Sequence, residues 1–207
     1  DADRYASGYR GENCWDTTAD LVNAGLALYE KDAAGANMTM FHFAPRQAPE
    51  TKNAAEVTIA FSVYNQEQLF YNSDTGLYEK NDPDGSGTTD ADNGQRVSFK
   101  NLLILYASSG IKDDGYTRQY DLSGGTGLYI TDGGWQEIRW TKGDATAPLA
   151  LTTTEGATLD VNPGKTFLAI YGGFYGQSLT VAASDGTVQT LPERMPLLDS
   201  AVSDEAA

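Results

Sequence analysis

The residues with the most evident chemistry lie between positions 81 and 94, Asn-Asp-Pro-Asp-Gly-Ser-Gly-Thr-Thr-Asp-Ala-Asp-Asn-Gly. Set in the register of a calcium loop, Asp82, Asp84 and Ser86 take positions one, three and five, Gly87 the sharp-turn position six, and Asp90 position nine. Oxygen ligands at alternate positions converge on a hard cation only where the backbone curls around it, which the glycines permit. The pattern departs at position twelve, where Asn93 stands instead of a bidentate glutamate. Pro83 also separates the first two carboxylates, and no flanking helices are evident. The alternative is an acidic, glycine-rich excursion of a β-hairpin. Calcium is thus the one cofactor this stretch suggests, as a stabiliser of structure.

Aromatic side chains beside glycines form a second candidate surface. Trp135 follows Gly133-Gly134, and Phe174 and Tyr175 sit within Gly172-Gly173-Phe174-Tyr175-Gly176. Such rings stack on sugars or anchor a protein partner when a loop presents them. Trp140, inside a strand pattern, reads as core.

Catalytic constellations are scarce. There is no Gly-x-Ser-x-Gly, and His42, the single histidine, leaves a Ser-His-Asp triad without support. His42 reads as a packed or hydrogen-bonded strand residue. Cys14 is the single cysteine, so an internal disulfide and a cysteine zinc cluster are excluded; it reads as a small buried hydrophobe. Gly124-Gly125-Thr126-Gly127 precedes a strand and lacks a following lysine, so it is no phosphate loop. Paired carboxylates for carbohydrate or peptide hydrolysis need a cleft and a raised pKa, which leaves an enzyme as an alternative reading.

The elements that must position these residues are mostly strands. Asp16 is the expected N-cap of a helix over about 17–33, with Leu21, Val22, Gly25, Leu26 and Tyr29 on one stripe. The period then changes to two. Strands are expected near 38–43, 57–63, 68–72, 77–81, 101–106, 118–122, 127–131, 136–141, 149–153, 158–161, 166–171, 179–182 and 188–191. Ser73-Asp74-Thr75-Gly76, Asp132-Gly133-Gly134-Trp135 and Ser184-Asp185-Gly186 are the turn signatures between them. Leu102-Leu103-Ile104-Leu105 is the best candidate for a central strand. The expected class is α+β, predominantly antiparallel sheet with one clear N-terminal helix.

With 207 residues the chain can build one large or two small domains. A net charge of -15 argues against nucleic acid. No apolar run approaches the roughly 20 residues that span a bilayer, and neither a signal segment nor an N-terminal lipid-carrying cysteine is present. Membrane attachment is therefore expected only through a lipid anchor outside this chain.

Several segments in order resemble the YerB-like lipoprotein family, chiefly its C-terminal domain. They are Tyr71-Asn72-Ser73-Asp74-Thr75-Gly76-Leu77-Tyr78, Asp90 with Asn93-Gly94-Gln95, and Lys100-Asn101-Leu102-Leu103-Ile104. Gly124 through Gly133, Ile138-Arg139-Trp140-Thr141-Lys142 and Leu159 through Phe167 follow. The resemblance runs over roughly residues 70–171. It implies that 1–63 is the last part of the family's N-terminal domain, 64–192 its β-rich C-terminal domain, and 193–207 an acidic, frayed tail. In the first part only Arg10, Asn13, Trp15 and Thr17 echo the family, and Gly11-Glu12 stands where a Pro-His pair is expected. The resemblance implies a bacterial cell-envelope protein, extracellular, lipid-anchored and of Gram-positive type, and implies no reaction. A non-catalytic module binding a surface protein or wall polymer through Trp135, Phe174 and Tyr175 is the leading expectation. The alternatives are an envelope enzyme with paired carboxylates and a domain stabilised by calcium at Asp82, Asp84, Ser86 and Asp90.

Overall fold

The computed structural model describes residues 17–30, 40–45, 48–49, 53–143 and 147–198. The chain divides into two compact units, Asp1–Met38 and Thr39–Ala207.

In the first unit the described element is helix α1, Ala19–Leu28. Thr18 caps it with an extended backbone and a side chain that accepts from the Leu21 amide, satisfying one of the orphan donors of the first turn. Asp16, the expected cap, lies outside the described residues, as do Cys14 and Met38. The helix ends at Leu28, before the expected residue 33, with Tyr29 as C-cap and Glu30 in left-handed backbone at φ 51°.

The described residues of the second unit carry fourteen strands. They are β1 (His42–Phe43), β2 (Glu56–Ser62), β3 (Asn65–Asn72), β4 (Leu77–Asn81), β5 (Ser98–Phe99), β6 (Asn101–Tyr106) and β7 (Ser109–Ile111). Then follow β8 (Arg118–Tyr120), β9 (Gly124–Thr131), β10 (Gly134–Thr141), β11 (Ala150–Thr153), β12 (Asp160–Val161), β13 (Thr166–Tyr171) and β14 (Ser178–Ala182). One five-stranded sheet has the order β11-β10-β9-β6-β13 and a second β14-β2-β3-β4-β5; β1 with β12 and β7 with β8 make two small pairs. All pairings are antiparallel except β6 with β13 and β1 with β12. The class is α+β with antiparallel sheet dominant.

The two sheets face each other across one core. Val57, Ile59, Leu69, Tyr78 and Val181 of the second sheet meet Leu102, Ile104, Tyr106, Leu128, Ile130 and Trp135 of the first. The first sheet is covered on its other face too, where Leu103, Leu105, Tyr129, Ile138 and Trp140 pack with Leu151, Leu159 and Val161. This explains the unbroken apolar run of β6. A strand covered on both faces gains burial at every position, so alternation disappears. Each buried leucine there is worth about 2–3 kcal/mol relative to exposure.

Turn chemistry fixes the registers. Thr131 pairs with Gly134, so the β9–β10 loop is the two residues Asp132 and Gly133, at φ 49° and 75°. Two positive φ values in a two-residue loop match the twist of the flanking strands. In β9 the glycines serve close approach: an added β-carbon would lie 2.1 Å from the Tyr106 carbonyl at Gly125 and 2.5 Å from the Ile104 carbonyl at Gly127.

Some expectations shift. Residues 63 and 64 form the turn of the β2–β3 hairpin, so β2 shares a sheet with β3, β4, β5 and β14. The strand expected over 38–43 shortens to two described residues, and that over 188–191 to a single bridge from Val188 to Ala182. Part of the tail expected to fray is held: Met195 packs against the inter-sheet core and the Leu198 amide donates to the Ser109 carbonyl.

Candidate functional site

Three places in the second unit combine reactive or adhesive side chains with defined geometry. The first is the loop 172–177. Arg118 of β8 donates from its two terminal nitrogens to the carbonyls of Phe174 (3.1 Å) and Tyr175 (3.0 Å). Its guanidinium carbon also stands 5.8 Å from the centre of the Tyr175 ring, within cation–π range. These bonds hold Tyr175 in left-handed backbone at φ 55°, a conformation an L side chain adopts at a cost of about 1–2 kcal/mol. Gln177 closes the loop, its side-chain oxygen accepting from the Gly172 amide (3.1 Å) and its nitrogen donating to the Tyr120 hydroxyl (3.0 Å).

This clamp separates the two neighbouring aromatics. Tyr175 is 48% exposed, whereas Phe174 is 1% exposed. The Val63-Tyr64 turn abuts the same loop: an added β-carbon at Gly176 would lie 3.5 Å from Val63 Cγ1. Val63 is exposed and Tyr64 is 97% exposed. Trp135 does not join them. It is the second residue of β10, 1% exposed, and belongs to the inter-sheet core. Of the three aromatics expected to bind, Tyr175 alone presents its ring. Phe174 and Trp135 are corrected to core residues, because strand alternation and the loop clamp turn them inward. Tyr64 and Val63 are the surface residues that sequence reading missed; their position in a two-residue turn between strands was the available signal.

The second place is a cavity of about 330 Å³ between the β1 and β11 segments, lined by Met40, Phe41, His42, Leu149, Leu151 and Leu159 among others. His42 Nδ1 lies 2.6 Å from Asp160 Oδ1, across the β1–β12 pairing that sets these residues side by side. His42 is therefore a hydrogen-bonded strand residue, as its isolation in the sequence suggests. Each described cavity is lined by no more than one carboxyl, Asp160 or Glu193. The carboxyls whose pKa shifts, Asp84, Asp114, Asp121, Glu155 and Asp185, all move down. In each the cause is hydrogen bonding from a nearby Ser or Thr hydroxyl or amide, the opposite of the tuning a general acid requires.

The acidic loop resolves into two consecutive turns. Asp84 Oδ1 accepts from the Ser86 amide and hydroxyl (2.9 and 2.6 Å), and Asp82 Oδ1 accepts from the Thr88 hydroxyl (2.7 Å). Asp90 Oδ1 accepts from the Asp92 and Asn93 amides (2.9 and 3.3 Å). Asp82, Asp84 and Asp90 do not gather: among the described residues no three acidic, histidine or cysteine side chains come together to hold a metal. Gly87 has a different reason from the sharp turn expected. Arg96 lies over it, where an added β-carbon would be 2.1 Å from a guanidinium nitrogen. That guanidinium reaches Glu79, the Thr88 carbonyl and Asn81 Oδ1.

The third place is a buried polar knot at one end of the sandwich. Lys100 Nζ contacts Asp132 Oδ1 and donates to the Gly76 carbonyl at 3.1 Å. The Asp132 side chain is 1% exposed and that of Lys100 16%. Asn162 Nδ2 donates to Asp132 Oδ2 (3.1 Å) and to Thr131 Oγ1 (2.9 Å). Tyr129 donates its hydroxyl hydrogen to Asn101 Oδ1 (3.0 Å) while accepting from the Asn162 amide (2.8 Å). Burial pushes the Tyr129 phenol up, which keeps that donor proton in place. Asn101 Nδ2 completes the set by donating to the Asn162 carbonyl at 2.8 Å. The segments 71–78, 100–104, 124–133 and 159–167, on which the family resemblance rests, each supply part of this knot or of its walls.

Comparison with known proteins follows the same lines. The search of curated proteins yields no match. Among solved structures the chain is similar to the YerB protein from Bacillus subtilis, at 24% identity and a TM-score of 0.60, over 83% of this chain. The match spans 58% of that protein, and at this identity the likeness speaks for the fold. Residues 57–168 match the family model described as the C-terminal domain of a protein of unknown function, DUF3048. With more than half of its length under that model, and a fold shared with YerB, the chain belongs to the DUF3048 family.

Proposed function

We propose that this chain is part of a cell-envelope protein and serves as a non-catalytic module that docks another envelope component, a surface protein or a wall polymer. Tyr175, Tyr64 and Val63 are its contact residues. The observation that carries the reading is the Arg118 clamp. Three interactions from one arginine hold Tyr175 in a backbone conformation that works against it. The result is a half-exposed ring beside an exposed turn. Backbone strain maintained by surrounding structure concentrates at binding sites, and a rigid tyrosine contributes large contact area at low entropic cost. Family membership and the acidic charge support an envelope setting with lipid anchoring outside this chain. Charge repulsion makes anionic polymers poor ligands, so the favoured contacts are neutral sugars or a protein surface.

The test is sedimentation with purified Gram-positive sacculi, in one arm carrying their surface proteins and in the other stripped of them. Wild-type protein is expected in the pellet of at least one arm, with Tyr175→Ala and Tyr64→Ala left in the supernatant. Wild type absent from both pellets, or variants pelleting as wild type does, overturns the reading.

A further inference from the structure

The polar knot holds a nucleophile and an electrophile against the two oxygens of one carboxylate. We propose that Lys100 and Asn162 become joined by an intramolecular isopeptide bond, with Asp132 carrying the proton. The amine of Lys100 touches one oxygen of the Asp132 carboxylate, and the side-chain amide of Asn162 touches the other. The two reacting groups therefore lie within one carboxylate and two hydrogen bonds of each other, a fixed juxtaposition that converts an otherwise slow amide exchange into an intramolecular step.

Each position is fixed by its own element. Lys100 connects β5 to β6, its backbone amide donating to the Lys165 carbonyl at 2.8 Å, and the Gly76 carbonyl orients its Nζ. Gly164, at φ 145°, lets the 162–165 turn close onto Lys100; an added β-carbon there would lie 2.5 Å from Lys100 Cβ. Asp132 is held in the left-handed two-residue turn between β9 and β10. Asn162 is 1% exposed and bonded through its amide, carbonyl and side chain.

The step balances without an oxidant or reductant. Lys100 gives a proton to Asp132 Oδ1, and the neutral amine adds to Cγ of Asn162. The carboxyl proton passes to Nδ2, the Cγ–Nδ2 bond breaks, and ammonia leaves. One C–N bond forms and one breaks; Asp132, again a carboxylate, takes the amine's second proton and passes it to the departing ammonia, which leaves as ammonium. A cavity of about 250 Å³ lined by Lys100, Pro163, Gly164 and Lys165 adjoins the site and gives the ammonia a way out. The bond would tie the start of β6 to the turn before β13, the parallel strand that pairs with it. It would constrain the unfolded chain as a disulfide does, in a chain with a single cysteine.

Intact mass spectrometry of the full chain under denaturing conditions tests this. The expected mass is one ammonia, about 17 Da, below that of the sequence, and peptide mapping places residues 100 and 162 in one branched peptide. Lys100→Arg, confirmed as folded by circular dichroism, returns to its full sequence mass and melts at lower temperature. The full sequence mass for the wild-type chain overturns the proposal. So does a deficit traced to a succinimide at Asn93-Gly94, or a loss of water joining Lys100 to Asp132.

Discussion

Tyr175 and Phe174 are neighbours with opposite duties, and substitution separates them. Phe174→Ala empties a buried site and is expected to cost about 3–5 kcal/mol, read as a lowered urea midpoint. Tyr175→Gly relieves a left-handed tyrosine and leaves stability unchanged or raises it by about 1 kcal/mol, while removing the proposed contact ring. An equal loss of stability in both variants would contradict the assignment. The acidic loop makes a second prediction. Since Asp82 and Asp84 serve one turn and Asp90 the next, millimolar calcium or chelator should leave the melting temperature unchanged; a rise with calcium would show that the loop rearranges around it. The third concerns acid. Asp84, Asp114, Asp121 and Asp185 have folded pKa values below the ordinary one, chiefly because Ser or Thr hydroxyls and amides two or three residues on donate to them. Depressed carboxyls contribute stability present above their ordinary pKa and lost as pH falls through the folded value. The urea midpoint should therefore hold down to pH about 5 and fall below about 4, and changing all four to Asn should make that fall shallower. Of these residue-level facts, the Asp-x-Ser/Thr turns were open to a sequence reader. The fate of Trp135 and Phe174 was not, because glycine neighbours suggest exposure equally for a loop and for a hairpin whose first strand residue is glycine.

At the scale of elements, β6 makes the sharpest prediction. Ile104 faces the inter-sheet core and Leu103 the opposite one, so alanine at either position should destabilise by about 2–5 kcal/mol. A small effect at one of them would mean that one face of the sheet is open. Gly125→Ala and Gly127→Ala should each disrupt the β6–β9 pairing, visible as lost amide-exchange protection in both strands, since the added carbon meets a backbone carbonyl of Tyr106 or Ile104. The unbroken apolar run of β6, the hairpin at 73–76 and the two-residue turn at 132–133 were legible because local chemistry alone determines them. The short strands β5 and β7 were not, since two or three residues carry no periodicity. The double burial of the first sheet was only implied by β6; in β10 plain alternation sends Trp135 to one core and Ile138 and Trp140 to the other, but that both faces are covered comes from tertiary packing. The segments that suggested the family were readable as words, but that they meet in one buried knot around Asp132 and Asn162 required the fold.

For the molecule as a whole, the β-rich unit belongs to the DUF3048 family and has the YerB-like fold, and its described surface exposes Tyr175 on the clamped loop, Tyr64 on the adjoining turn and Tyr116 between β7 and β8. The chain spans 58% of the YerB structure it matches, and the proposed docking role belongs to this portion. The chain's net charge of -15 repels polyanions, so the proposed docking is expected to survive salt, driven by ring contact and not by ion pairing. Sedimentation of wild type, Tyr175→Gly and Tyr64→Ala with Gram-positive sacculi at 50 and 500 mM salt, between which the Debye length falls about threefold, tests this most directly. The account predicts that wild type pellets at both salt concentrations and that the two folded variants stay in solution. Failure of the wild type to pellet with sacculi, with or without their surface proteins, or pelleting of the variants alongside it, would contradict the central claim.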